Sequence, residues 1–221
     1  MKYAGDSGLS ESETRQKPHI KKAARVLRAG GVVAIPTDTV YGLAARAFDL
    51  KAIARVFEIK GRDFSAALPL LLANVEMMDQ CMAGNPEIAI RLAKTFWPGP
   101  LTIVVLKSDR VPSELTGGGP TVGLRVPDHH VPRALSAALN EPITGTSANL
   151  TGEPAFTDYD NLKLEMDSDL DYILDGGALP DRPASTVIDA TGEIPRILRQ
   201  GGVAQDAIES ALGIEILPPM V

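Results

Sequence analysis

Short, wholly apolar runs that alternate with stretches of helical periodicity constrain this chain more than any single residue does. Val32-Val-Ala-Ile35, Leu68-Pro-Leu-Leu-Leu-Ala73, Leu101-Thr-Ile-Val-Val-Leu106, Thr121–Val126, Pro142–Thr146, Tyr172-Ile-Leu174, Thr186-Val-Ile188 and Ile197-Leu198 have the brevity and composition of buried strands. Between them, Ile20, Ala23, Ala24 and Leu27 fall on one helical face, as do Ile53, Val56 and Phe57, and Ile88, Leu92 and Phe96. Val131–Leu139 and Ala204–Leu212 read as further helices, Leu162–Met166 as a weaker one. Helix ends carry their own chemistry: Gly30-Gly31 stops the first, Asp49 caps the second, and Pro86 suits the first turn of the third. No repeat or linker-like shift interrupts the pattern. The expectation is one α/β sheet domain with mixed strand directions, covered by helices, over residues 18–221, behind a mobile polar tail at residues 1–17.

With 221 residues, 44% of them hydrophobic, the chain can build one substantial core. A net charge of -6 argues against a broad nucleic-acid footprint, which needs many cations against phosphates. A single cysteine, Cys81, beside His19, His129 and His130 gives neither an internal disulfide nor a closed zinc set, so no protein metal site is expected. No run approaches the roughly 18 apolar residues of a membrane span, and no leader-like segment opens the sequence. The expected location is the cytoplasm.

The chemistry concentrates in two separated stretches. Lys60-Gly-Arg62 ends the second helix, and Ser147-Ala148-Asn149 follows an apolar strand, so two cations would meet two neutral dipoles in a split anion site. Alone, each has a bland reading: a helix C-cap with cations near the dipole's negative end, and a turn. Trp97-Pro-Gly-Pro100 reads as a packing turn, Gly117-Gly-Gly119 as a mobile loop and His129-His130 as a solvated pair. Neither G-x-x-x-x-G-K-[ST] nor G-x-G-x-x-G is present, so phosphate would have to be held by another arrangement.

Six stretches in order change those odds: Pro36-Thr-Asp-Thr-Val-Tyr-Gly-Leu43, Lys60-Gly-Arg62, Trp97-Pro-Gly-Pro-Leu-Thr102, Thr121-Val-Gly-Leu-Arg-Val-Pro127, Thr146-Ser-Ala-Asn149 and Ser185-Thr-Val-Ile-Asp189. Together they resemble the YrdC-like family of threonylcarbamoyl-AMP synthases in its short single-domain form, over roughly Ile20 to Val203. The resemblance implies a twisted open mixed sheet with a concave substrate cleft. It implies condensation of L-threonine, bicarbonate and ATP into threonylcarbamoyl-adenylate and pyrophosphate, Mg2+ accompanying the ATP. The product would feed a tRNA-modifying transferase complex acting at adenosine 37. By the same resemblance Lys60, Arg62, Ser147 and Asn149 are catalytic. Arg62, Thr121, Ser147, Asn149 and Arg199 would bind ATP, while Thr39, Arg125, Thr146 and Ser185 would bind threonine. Carbamate and triphosphate are both anions, and like charges about 4 Å apart cost on the order of 4 kcal/mol at an effective dielectric near 20, so several cations are required. The chain departs from the family pattern at Ala66, where Asn or Lys is frequent, and at Leu71, where His is frequent. An RNA-binding or regulatory protein of the same fold is the alternative, and weak RNA binding stands among the expected partner properties.

Overall fold

The computed structural model describes residues 11–219. In chain order the elements are α1 (Glu11–Arg28), β1 (Val33–Ile35), β2 (Gly42–Ala44), α2 (Leu50–Lys60), β3 (Leu70–Leu71), α3 (Glu87–Phe96), β4 (Leu101–Leu106) and β5 (Thr121–Arg125). There follow α4 (His130–Leu139), β6 (Ile143–Thr144), β7 (Thr146–Ser147), α5 (Tyr159–Met166), β8 (Tyr172–Ile173), β9 (Thr186–Asp189), β10 (Arg196–Arg199) and α6 (Gln205–Leu212).

The mixed α/β class is observed, with its strands divided between two sheets where the sequence pattern suggested one. The smaller has the order β7-β2-β1-β8 and the larger β10-β9-β4-β5-β3-β6, each with parallel and antiparallel pairs. The chain passes between them at Gly145, whose N–H donates to Pro69 O at 2.8 Å on the larger sheet. Next to it, fully buried Thr144 ties the sheets together: its Oγ1 accepts from Ala45 N at 2.9 Å and donates to Leu43 O at 3.0 Å. Strand β2 was not anticipated, because Gly42-Leu-Ala44 carries no β-branched residue.

Each helix follows from its local chemistry. Asp49 Oδ1 accepts from Lys51 N and Ala52 N to start α2, and Gly61 ends it in the left-handed region at φ 59°. Ile53, Val56 and Phe57 bury its inner face, each worth about 1.5–3 kcal/mol. Helix α1 begins earlier than the periodicity indicated, so Glu11–Lys17, read as tail, is helical. The reason is Gln16, which continues the buried stripe one turn before Ile20 and donates through Nε2 to Asp175 O at 3.3 Å. The rest of the expected tail, residues 1–10, lies outside the described residues.

Two loop readings are corrected. Gly117, expected in a mobile loop, closes a short 3-10 helix (Ser113–Thr116) at φ 63°, and an added Cβ would lie 2.5 Å from Ser65 O. His129, expected in solvent, is half-buried and caps α4 by accepting from Val131 N through Nδ1, stacked on His130 at 5.0 Å. Burial, reinforced by His130, pushes its pKa down to about 4.

Removing the Thr144 hydroxyl leaves the Ala45 N–H buried without its acceptor. Thr144→Val is expected to cost about 1–3 kcal/mol in urea unfolding; a loss below about 0.5 kcal/mol would mean the hydroxyl does not join the sheets.

Candidate active site

Strand alternation builds the floor of the site. On the larger sheet, Leu70, Ile103, Val105, Val122, Leu124 and Ile188 point into the core. Their alternates Pro69, Leu71, Thr102, Val104, Gly123, Arg125 and Val187 line a cavity of about 560 Å³ on the opposite face. Thr102 and Arg125 lie one step beyond the paired residues Ile103 and Leu124, and Val104 sits opposite Gly123. Thr39 and Val40, after β1, and Gly145, Thr146 and Ser147, at the crossing between the sheets, form the facing wall.

The cations arrive from different elements. Arg62 follows the left-handed Gly61 at the end of α2 and enters the cavity wall; its Nε is buried without a hydrogen-bond partner. Burial lowers its pKa, with no acid offsetting the effect. Arg125 is held from behind: Nη2 donates to Asp38 Oδ2 at 2.6 Å and Nε to Gly99 O at 2.9 Å. Both side chains of that ion pair are buried, so removing either partner would strand a charge. Burial lowers the Arg125 pKa, opposed by Asp38 and reinforced by Arg199 across the cavity. Arg199 reaches the cavity because β10 is irregular: Ile197 pairs with Ile188, but Arg199, two residues on, pairs with the adjacent Val187. The extra residue, Leu198, turns Arg199 to the cavity side. Its Nη2 donates to Ser185 O at 2.9 Å and Ser185 Oγ at 3.1 Å.

Seven of the residues singled out from sequence therefore line one cavity: Thr39, Arg62, Arg125, Thr146, Ser147, Ser185 and Arg199. Lys60, Asn149 and Thr121 do not. Lys60, 3% exposed, is enclosed by carbonyl-type acceptors, donating from Nζ to Ser147 O at 2.7 Å, Asn149 Oδ1 at 2.9 Å and Asn149 O at 3.0 Å. Asn149 is a second brace, accepting from Ser147 Oγ at 2.6 Å and donating to Glu153 O at 2.5 Å. Both act on the wall rather than in the cavity. Thr121 shares the face of Gly123 and Arg125 but lies further along β5. Thr102, quoted at the end of the Trp97–Thr102 stretch, and Leu71, quoted as a departure from the family pattern, were given no role from sequence, and both line the cavity.

Fold and cavity together define an α/β protein whose two sheets enclose a cavity lined by three arginines. A family model described as telomere recombination, covering the Sua5, YciO and YrdC proteins, matches residues 25–201, and the chain belongs to that family. It is 41% identical over 202 residues to a threonylcarbamoyl-AMP synthase of Pyrococcus abyssi, covering 91% of this chain and 59% of the relative. To the Bacillus subtilis protein of that name it is 38% identical over 206 residues, covering 93% of this chain and 60% of the relative. The structure of P. abyssi Sua5 complexed with L-threonine superposes with a TM-score of 0.87 at 39% identity, covering 96% of this chain and 60% of that one. The chain thus spans less than two thirds of the length of these relatives.

Burial, reinforced by Arg62, lowers the Lys60 pKa from 10.5 to about 8. A lysine with a folded pKa below its unfolded value burdens stability at neutral pH. That burden is relieved as pH rises from about 8 to 10.5, because the unfolded chain then holds more protons. In the folded chain the Lys60 clip loses a donor around pH 8. In an NMR titration the Lys60 side chain and the Ser147–Thr151 amides are expected to move together with a midpoint near pH 8. Lys60→Met should abolish the amide transition; its persistence there would detach Lys60 from the loop.

Proposed function

We propose that this chain is a threonylcarbamoyl-AMP synthase, condensing L-threonine, bicarbonate and ATP with release of pyrophosphate. The observation that carries the reading is the convergence of Arg62, Arg125 and Arg199 on one cavity while the neighbouring carboxylate, Asp38, is already bound to Arg125. Such a cavity has unsatisfied positive charge, and the reaction brings two anions together. The names of the relatives and the threonine complex of P. abyssi Sua5 support the same assignment.

In this reading bicarbonate takes up a proton and loses water to give carbon dioxide, the threonine amine adds to it and releases a proton to become a carbamate, and a carbamate oxygen attacks the α-phosphorus of ATP as pyrophosphate leaves. Arg62 presents a planar donor fork to phosphate, and Arg199, whose Nε and Nη2 already donate to Ser185, offers it Nη1. Arg125 offers its remaining Nη1 to the threonine carboxylate, since Nη2 and Nε are engaged. Thr39, Thr146 and Ser185 complete the amino-acid side, and Ser147 faces the nucleotide from the wall, with Thr121 further along β5 of the floor sheet. Lys60 and Asn149 fix the Ser147 wall and so contribute through alignment, a large part of the barrier in transfers of this type. No protein nucleophile is needed.

Among the described residues there is no group of three or more His, Cys, Asp or Glu that could hold a metal ion. Magnesium would accompany the triphosphate as part of the substrate. Among the described residues no helix is long and apolar enough to cross a membrane. We place the reaction in the cytoplasm, with the product passed to a tRNA-modifying transferase.

Pyrophosphate release from ATP should require both L-threonine and bicarbonate. Arg62→Ala should lower turnover at least about a hundredfold. Arg62→Lys keeps the charge without the planar fork and should remain well below wild type. Equal release without threonine would overturn the assignment, and full rescue by lysine would reduce Arg62 to a generic charge.

A further inference from the structure

The hydroxyls of Thr102 and Ser185 form a buried pair on the cavity floor, Oγ1 to Oγ 2.9 Å, and the reaction as described leaves Thr102 without a role. Their geometry is fixed from several sides. A Cβ added at Gly123 would lie 3.2 Å from Thr102 Cγ2, so the methyl occupies that side of the floor while the hydroxyl meets Ser185. Threonine is stiff at χ1, which makes this orientation persistent. Ser185 is held in turn by Arg199, which donates to both its Oγ and its carbonyl oxygen.

Two hydroxyls carry two protons and four lone pairs. One proton and one lone pair are consumed in the bond between them, and Arg199 takes a second lone pair. Whichever hydroxyl donates, the pair retains one proton and two lone pairs for a ligand. A ligand hydroxyl both donates and accepts, and a guanidinium can only donate, so the cavity's arginines cannot satisfy it. Two of the wall hydroxyls are engaged in braces, Ser147 Oγ donating to Asn149 Oδ1 and Thr39 Oγ1 paired with Thr37 Oγ1, while Thr146 stands across the cavity on the other sheet. By the register that pairs Ile103 with Leu124, Thr102 also lies across from Arg125 on the same sheet face, and all three residues line the one cavity.

We propose that Thr102, together with Ser185, reads the side-chain hydroxyl of the amino-acid substrate, and that Thr102 is thereby a specificity-determining residue. This rests on the synthase reading above and names what that reading leaves unassigned: the group that distinguishes a β-hydroxy amino acid from its deoxy analogue. Neutral partners suit the task, because a buried hydroxyl pair left unfilled by the deoxy analogue penalises it.

The test compares L-threonine with L-2-aminobutyrate in bicarbonate-dependent pyrophosphate release. Wild type should favour threonine in kcat/KM by about a hundredfold or more. Thr102→Val should lower kcat/KM for threonine about tenfold, leave that for aminobutyrate unchanged, and leave the KM for ATP unchanged. Thr102→Ser, which restores the hydroxyl, should recover most of the preference. Equal losses for both amino acids, an unchanged preference in Thr102→Val, or no recovery in Thr102→Ser would each overturn the proposal. If Thr102→Val does not fold, Ser185→Ala must narrow the preference in the same way, and its failure to do so overturns the proposal equally. Absence of threonine-dependent release from wild type is a separate result, which would remove the synthase reading itself.

Discussion

Confining like charges around one cavity is the constraint on which this structure depends. Arg62, Arg125 and Arg199 line the same space, and burial disfavours the charged form of the first two. A fold can hold such a group only if its frame is stiff and its backbone dipoles are well used. Asp38 answers Arg125 directly, and carbonyl oxygens of Ser147 and Asn149 surround the Lys60 ammonium. After these pairings the cavity keeps uncompensated positive charge. An anionic ligand would offset the mutual repulsion of these cations, so affinity and frame stability draw on the same electrostatic term.

How far this could be read beforehand differs from element to element. The helix α2 was legible at both ends because Asp49 and Gly61 act through their own local chemistry. The start of α1 was obscured by Gln16, a polar residue on a buried stripe. Strand β2 lacked β-forming composition, and the division into two sheets is set by contacts across about a hundred residues, between Thr144 and Leu43 or Ala45. Such pairings leave no periodic trace.

The site shows the same split between residue type and direction. That Lys60, Arg62, Ser147 and Asn149 belong together was visible from their chemistry and order. Which of them face the ligand was not: Lys60 spends its donors on the loop, whereas Arg62 has none of its guanidinium committed to a carboxylate. Arg199 defeats period-two reasoning outright. Simple alternation would place it with Ile197 on the core side, and the irregularity in β10 reverses that parity. Thr102 ended one of the resembling stretches but drew no role, since threonine in a Leu-Thr-Ile-Val-Val-Leu run is accounted for by β propensity alone.

The crossing at Gly145 has a mechanical meaning. Any Cβ there would lie 2.6 Å from Leu71 Cγ, a side chain of the cavity floor, so glycine lets the two sheets close to their observed spacing. Leu71 stands on the same sheet as Arg125, while Gly145 leads directly into Ser147 on the other. The Leu71–Gly145 contact is therefore a spacer between the two jaws of the cleft. A larger group at either position would act as a wedge, altering the separation of the two jaws without touching a charged residue.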